Sequence, residues 1–134
     1  MGKNIRLTAS DGHSFDAYKA VPAGTPKGGV VVIQEIFGVN SHIREVADSY
    51  AADGYLAVAP AVFDRQKASV ELGYTADDVT AGRTLKDSAS YEGAVLDLAA
   101  AVKAASEGGK VGTVGYCWGG TLSYLCSTRV DGVS

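Results

Sequence analysis

The sequence places one cysteine where a nucleophile would be held. Gly115-Tyr116-Cys117-Trp118-Gly119 carries glycines two residues before and two residues after Cys117. Lys110-Val111-Gly112-Thr113-Val114 precedes it as a short apolar run, the mark of a buried strand, and Gly120-Thr121-Leu122-Ser123-Tyr124-Leu125 follows as a helix. Strand, sharp turn and helix are the context of a nucleophile elbow, here with Cys where Ser usually stands. A turn this tight strains the backbone of the nucleophile. Side chains two residues away would collide with the neighbouring strand and helix, which is the reason for glycine at both positions. The helix that follows directs its free N–H groups and its dipole at the sulfur and favours the thiolate. The plain alternative is a glycine-rich turn around a buried cysteine.

A second chemical group follows another apolar run. Val30-Val31-Val32-Ile33 is continuous and β-branched, as in a strand buried on both faces, and Gln34-Glu35-Ile36-Phe37-Gly38 comes directly after it. A carboxylate at the end of such a strand is costly without a partner. Glu35 is therefore either a solvated or capping acid, or a group that faces the nucleophile and takes its proton. In the second case the backbone N–H groups of Ile36 and Trp118 are candidate oxyanion donors, each contributing roughly 3 kcal/mol to a barrier. Other candidates are more ambiguous. Arg83 suits an anionic substrate or is a solvent-facing helix charge. Asp64 and Arg65 read as a surface ion pair. His13 reads as an exposed turn residue and His42 as a polar residue in the first turn of a helix. No metal-ligand spacing joins the two histidines.

These groups need a scaffold. Ile5 to Thr8 and Phe15 to Val21 alternate around Asp11-Gly12, which predicts an antiparallel hairpin. Asn40-Ser41 caps a helix carrying Ile43, Val46, Ala47 and Tyr50, closed by Asp53-Gly54. Tyr55 to Pro60 is the next buried strand, and residues 61–80 form an excursion with a helical piece. Ser88 to Ala105 is a long helix ended by Gly108-Gly109. The expected order is a β-hairpin followed by β-α-β-α-β-α, an α/β fold with a mostly parallel sheet and crossover helices. In such a sheet, functional groups gather beyond the carboxyl ends of the strands.

Composition narrows the function classes. The chain has 134 residues, 46% of them apolar and 20% charged, which suits one globular domain. A net charge of −3 without a basic run predicts no nucleic-acid partner. No apolar stretch is long enough for a membrane span. Met1 to Ile5 lacks the apolar core of a signal peptide. Cys117 and Cys126 form no disulfide framework, and a cytoplasmic location is expected. A nucleotide-binding reading is weak, because no G-x-G-x-x-G follows the first parallel strand.

The segments Gln34 to Asn40, His42-Ile43-Arg44-Glu45, Ala57-Val58-Ala59-Pro60 and Gly115 to Gly120 resemble the dienelactone hydrolase family of α/β hydrolases. The resemblance runs from about Ile5 to Ser134. It implies a Cys nucleophile at Cys117 in a Cys-His-Asp triad, and a Glu at Glu35 that holds or activates it. It also implies oxyanion amides at Ile36 and Trp118, substrate contacts at Phe37 and Arg83, lactone or ester substrates, and no metal or organic cofactor. The same attack would extend to phosphoesters. The departure lies after the elbow. In α/β hydrolases the acid and the His follow the nucleophile, whereas here Trp118 to Ser134 contain Asp131 and no His.

Residues 1–134 are accordingly expected to form a single truncated α/β-hydrolase domain. It would end as Val130 to Ser134 open the next strand, with the catalytic Asp and His absent. Loss of the following strands would leave the strand at 111–114 as an apolar edge, which predicts a homodimer through that edge. Two functions remain open: a hydrolase whose activity is weakened by the missing partners, and a catalytically inactive, self-associating fragment or one half of a split enzyme.

Overall fold

Alternation builds the first hairpin. In the computed structural model, which describes residues 2–134, β1 (Lys3–Thr8) pairs antiparallel with β2 (Ser14–Ala20), and Leu7 lies opposite Phe15. Gly12, at φ 89°, makes the turn between them. β3 (Gly29–Ile33) and β4 (Leu56–Pro60) are almost wholly buried, as their apolar runs require. With β5 (Val111–Gly115) they complete one sheet in the order β1-β2-β4-β3-β5. β2 meets β4 antiparallel, while β3 runs parallel to both β4 and β5.

The chain steps from β3 to β4 on one side and later to β5 on the other. α1 (Ser41–Ala52) covers one face, over Tyr18, Val32, Ala57 and Ala59. α2 (Ala76–Ser88) follows the excursion. α3 (Tyr91–Ala105) and α4 (Trp118–Arg129) cover the opposite face, where Val31, Ile33, Val58, Leu98, Val102 and Leu122 form the larger core. Ile33 pairs with Gly115, so β3 and β5 end flush. Their loops then leave in opposite directions, to α1 on one face and α4 on the other. The crevice opened by that divergence is where an open parallel sheet places its ligand.

Two sequence expectations are corrected in the middle of the chain. The long helix begins at Tyr91, capped by Ser90 Oγ on the Gly93 N–H at 3.0 Å, and α2 is a separate helix before it. α2 was hard to see because it buries only Gly82 and has no apolar stripe. Its capping box, Thr75 with Asp78, is the signal that marks it.

The second correction concerns charge. Asp64 and Arg65 do not pair with each other. Asp64 accepts the Asp16 N–H at 2.8 Å, and Arg65 reaches fully buried Asp97 through Nε and Nη2 at 2.9 and 2.8 Å. Arg65 also holds Asp11 at 2.8 Å. The guanidinium thus ties the hairpin turn and the Val62–Arg65 3-10 turn to α3. Burial pushes the Asp97 carboxyl up, and the two hydrogen bonds from Arg65 oppose it. His13 is half-buried rather than exposed, stacked on Phe15 with centroids 5.9 Å apart.

β5 is the sheet edge, as expected. Val133 makes an isolated parallel bridge to Val111, and the Ser134 N–H donates to Val111 O at 2.8 Å, so these residues cover the first part of that edge. Among the described residues, no helix is long and apolar enough to cross a membrane.

The Arg65 cluster has a pH signature. Arg65 lowers the Asp11 carboxyl to about 2, below the unfolded value of about 4. Its contribution is present above the unfolded value and lost as pH falls through the folded one. Urea denaturation between pH about 5 and about 2 should show the advantage of the wild type over Asp11→Asn shrinking towards zero. A pH-independent difference would contradict this linkage.

Candidate active site

Cys117 occupies a backbone conformation that side chains rarely adopt, φ 57° and ψ −121°. Such a residue costs of order 1–3 kcal/mol and persists only where its surroundings hold it. Here the surroundings are backbone packed on backbone. A Cβ at Gly119 would lie 2.5 Å from Gln34 O and 2.6 Å from Ile33 O. A Cβ at Gly115 would collide with the Gly119 carbonyl. α4 therefore starts directly against the end of β3, and the elbow is locked to the loop that carries Glu35 and Ile36. The Gly119 N–H donates to Tyr116 O and the Gly120 N–H to Cys117 O, both at 2.9 Å. The Trp118 N–H opens the helix and has no carbonyl of α4 to bond. No acid sits in the first turn of α4, so nothing there offsets the helix field at the sulfur.

Cys117 is exposed, and it opens onto a cleft of about 590 Å³. Ile36, Trp118, Arg83, Lys86 and Tyr91 line the same cleft. The structure thus brings together four of the sequence-predicted residues: the nucleophile candidate, both amide-bearing residues and Arg83. Arg83 reaches the cleft from α2 and makes no ion pair among the described residues, whereas Lys86 lies 3.7 Å from Asp87. Asp87 lines the cleft as well, so α2, the helix that sequence periodicity did not reveal, brings two cations and one carboxylate to it.

Two predicted residues sit elsewhere. Glu35 does not line the cleft, and no hydrogen bond joins it to Cys117 Sγ among the described residues. Instead its Oε1 accepts from Tyr74 Oη at 3.3 Å, and Asn40 Nδ2 donates to that hydroxyl at 3.2 Å. Phe37 packs edge-on against the same tyrosine, with centroids 4.6 Å apart. The reason is the loop before α2, which folds back so that Glu71 bridges to Gly38 and Tyr74 reaches Glu35. Tyr74, Lys86 and Tyr91 were not legible as site residues, because nothing in their local pattern separates them from surface positions. His42 is exposed in the first turn of α1, and neither histidine lines the cleft. Among the described residues, no group of three or more His, Cys, Asp or Glu is arranged to hold a metal ion.

The dienelactone hydrolase family profile matches residues 15–134. The chain belongs to the dienelactone hydrolase family. A carboxymethylenebutenolidase of Pseudomonas putida is 36% identical over 133 residues, covering 95% of this chain and 56% of that protein. A provisionally named carboxymethylenebutenolidase of Synechocystis is 46% identical over 101 residues, 72% of this chain and 41% of its own length. A crystal structure of a provisionally named dienelactone hydrolase from Klebsiella pneumoniae matches at TM-score 0.79 and 29% identity, over 98% of this chain and 57% of that one. The chain thus spans about half the length of the relatives it matches.

The two thiols should differ sharply. Cys126 is fully buried on α4, and burial pushes its thiol up to about 11. With iodoacetamide at pH about 8, peptide mapping should show Cys117 labelled at least about 100-fold faster. Comparable labelling of Cys126 would contradict the exposed elbow.

Proposed function

We propose that Cys117 is the nucleophile of a thiol-dependent hydrolase for lactones and activated esters. The observation that carries this reading is the shared cleft, in which a strained, exposed Cys117 stands with Ile36, Trp118 and Arg83.

Cys117 Sγ attacks the substrate carbonyl carbon, and its proton passes to the Glu35 carboxylate. The Ile36 and Trp118 N–H groups bind the oxygen on which negative charge develops. The C–O bond breaks, the leaving oxygen takes the proton from Glu35, and a thioester remains on Cys117. A water that gives its proton to Glu35 then attacks the thioester carbon, the C–S bond breaks to release the acid, and the Cys117 sulfur takes the proton back from Glu35. Glu35 reaches this role by leaving Tyr74, an exposed side chain at a bond length of 3.3 Å that an entering substrate can displace. Phe37 lies beside the same contact and forms the apolar side of that entry. A cysteine needs less help from a base than a serine does, so acylation is the easier half-reaction in this chain. His13 and His42 stand outside the cleft, so no imidazole among the described residues activates the water. Deacylation is therefore the slow step.

The substrate named in carboxymethylenebutenolidase is a lactone that carries a carboxylate. Arg83, free of an acidic partner among the described residues, suits that group. The same attack at phosphorus is supported by likeness to a dienelactone hydrolase-like promiscuous phosphotriesterase from metagenomic libraries, at 25% identity and TM-score 0.63 over 92% of this chain and 52% of that one. For assembly we propose a homodimer through the β5 edge, where Val114 is half-exposed and Tyr124 is 69% exposed nearby; light scattering of the purified chain reads this directly.

With 4-nitrophenyl acetate the wild type should give a burst followed by slow release, and Cys117→Ala should give neither. Arg83→Leu should raise KM for a carboxylate-bearing lactone about tenfold and leave the neutral ester within about twofold. A burst that survives Cys117→Ala would overturn the assignment.

A further inference from the structure

We propose that the buried side chain of Gln34 fixes the direction of the Ile36 N–H, making Gln34 a positioning residue for the oxyanion site. This rests on the reading of that N–H as an oxyanion donor.

Gln34 is fully buried at the end of β3. A buried amide is tolerated only when its donors and acceptor are engaged. Gln34 Nε2 donates to Glu35 O at 3.1 Å, and Oε1 accepts the Val62 N–H at 2.9 Å. The amide can sit only this way round, because Glu35 O is an acceptor and Val62 N–H is a donor. Glu35 C=O and Ile36 N–H belong to one planar peptide unit, and no peptide bond in the described chain is cis. In a trans peptide the carbonyl and the N–H point in opposite directions. Holding the carbonyl on the buried Gln34 side therefore turns the N–H away from the interior, toward the cleft that Ile36 lines.

One further contact keeps the unit from turning. Gly82 of α2 touches the next carbonyl, and a Cβ there would lie 3.1 Å from the Ile36 carbonyl carbon. On the other side, Val62 leads into Phe63, whose ring stacks on Trp118 with centroids 5.2 Å apart. One side chain thus links the loop of the first amide to the support of the second. A methionine of similar volume would fill the space without either bond, so volume alone does not account for an amide here.

The test compares Gln34→Met, which loses both bonds, with Gln34→Glu, which keeps an acceptor for Val62 N–H but has no donor when ionised. Residual dipolar couplings of the amides report the orientation of the Ile36 N–H. Acylation of Cys117 by 4-nitrophenyl acetate needs the oxyanion site, whereas alkylation by iodoacetamide, at a saturated carbon, does not. In Gln34→Met, and in Gln34→Glu at a pH where the new carboxyl is ionised, the Ile36 coupling should change while those of β3 and α1 hold. Acylation should fall about 30–100-fold, with alkylation within about twofold. An unchanged Ile36 coupling, or acylation and alkylation falling together, would overturn the proposal. Should the wild type show no Cys117-dependent acylation, the hydrolase reading fails instead. The Ile36 coupling then decides on Gln34 alone: a change supports the proposal and constancy overturns it.

Discussion

The approach of Gly119 to the carbonyls of Ile33 and Gln34 is the contact on which the site depends. At 2.5–2.6 Å from a would-be Cβ, that gap admits a hydrogen and no carbon. It lets α4 begin flush against the end of β3, forces the chain through the left-handed conformation at Cys117, and sets the elbow beside the Glu35–Ile36 loop. The glycine at 115 serves the same junction from below, against the Gly119 carbonyl. The strain at Cys117 is sustained by packing on both sides, which a backbone outlier needs in order to persist.

Around this junction, the buried polar side chains of Gln34, Asn40 and Asp97 are engaged, and they link the elements that frame the cleft. Arg65 joins Asp97 of α3 to the hairpin turn. Gln34 joins the β3 loop to Val62. Asn40 caps α1 through Oδ1 and reaches Leu72 O and Tyr74 through Nδ2. Each of the three residues ties a loop at the carboxyl end of β3 or β4 to a segment distant in sequence. The energetic gain of any one is modest, but losing a partner from a buried group costs more than making the bond gains. These bonds hold the loops at the carboxyl ends of β3 and β4 together, and the Phe63–Trp118 stack adds the elbow after β5.

Much of this was legible in the sequence, for physical reasons that differ by element. The strands at 29–33 and 56–60 declare themselves because burial on two faces demands unbroken apolar runs, whereas 111–115, half-buried beyond Val111 and interrupted by Gly112 and Thr113, is marked by the elbow that follows it. The elbow is legible because steric exclusion leaves only glycine at 115 and 119. α2 is not legible by periodicity, because a helix that buries only Gly82 has no apolar stripe to read; its Thr75–Asp78 capping box was the available sign. Partner choice was least legible. Arg65 prefers Asp97 and Asp11 to its neighbour Asp64, and Glu35 bonds Tyr74, 39 residues away. Such pairings depend on how loops fold back, which local pattern does not encode.

The central claim is that the elbow holds the sulfur where the oxygen of a carbonyl carbon bonded to it meets the Ile36 and Trp118 amides. A crystal structure of the protein treated with a small aldehyde tests it most directly, since a hemithioacetal on Cys117 mimics the tetrahedral intermediate. The account predicts φ at Cys117 in the positive region and the adduct oxygen within hydrogen-bond distance, about 2.7–3.1 Å, of both N–H groups. An adduct oxygen turned to solvent, or a Cys117 relaxed to negative φ, would contradict it.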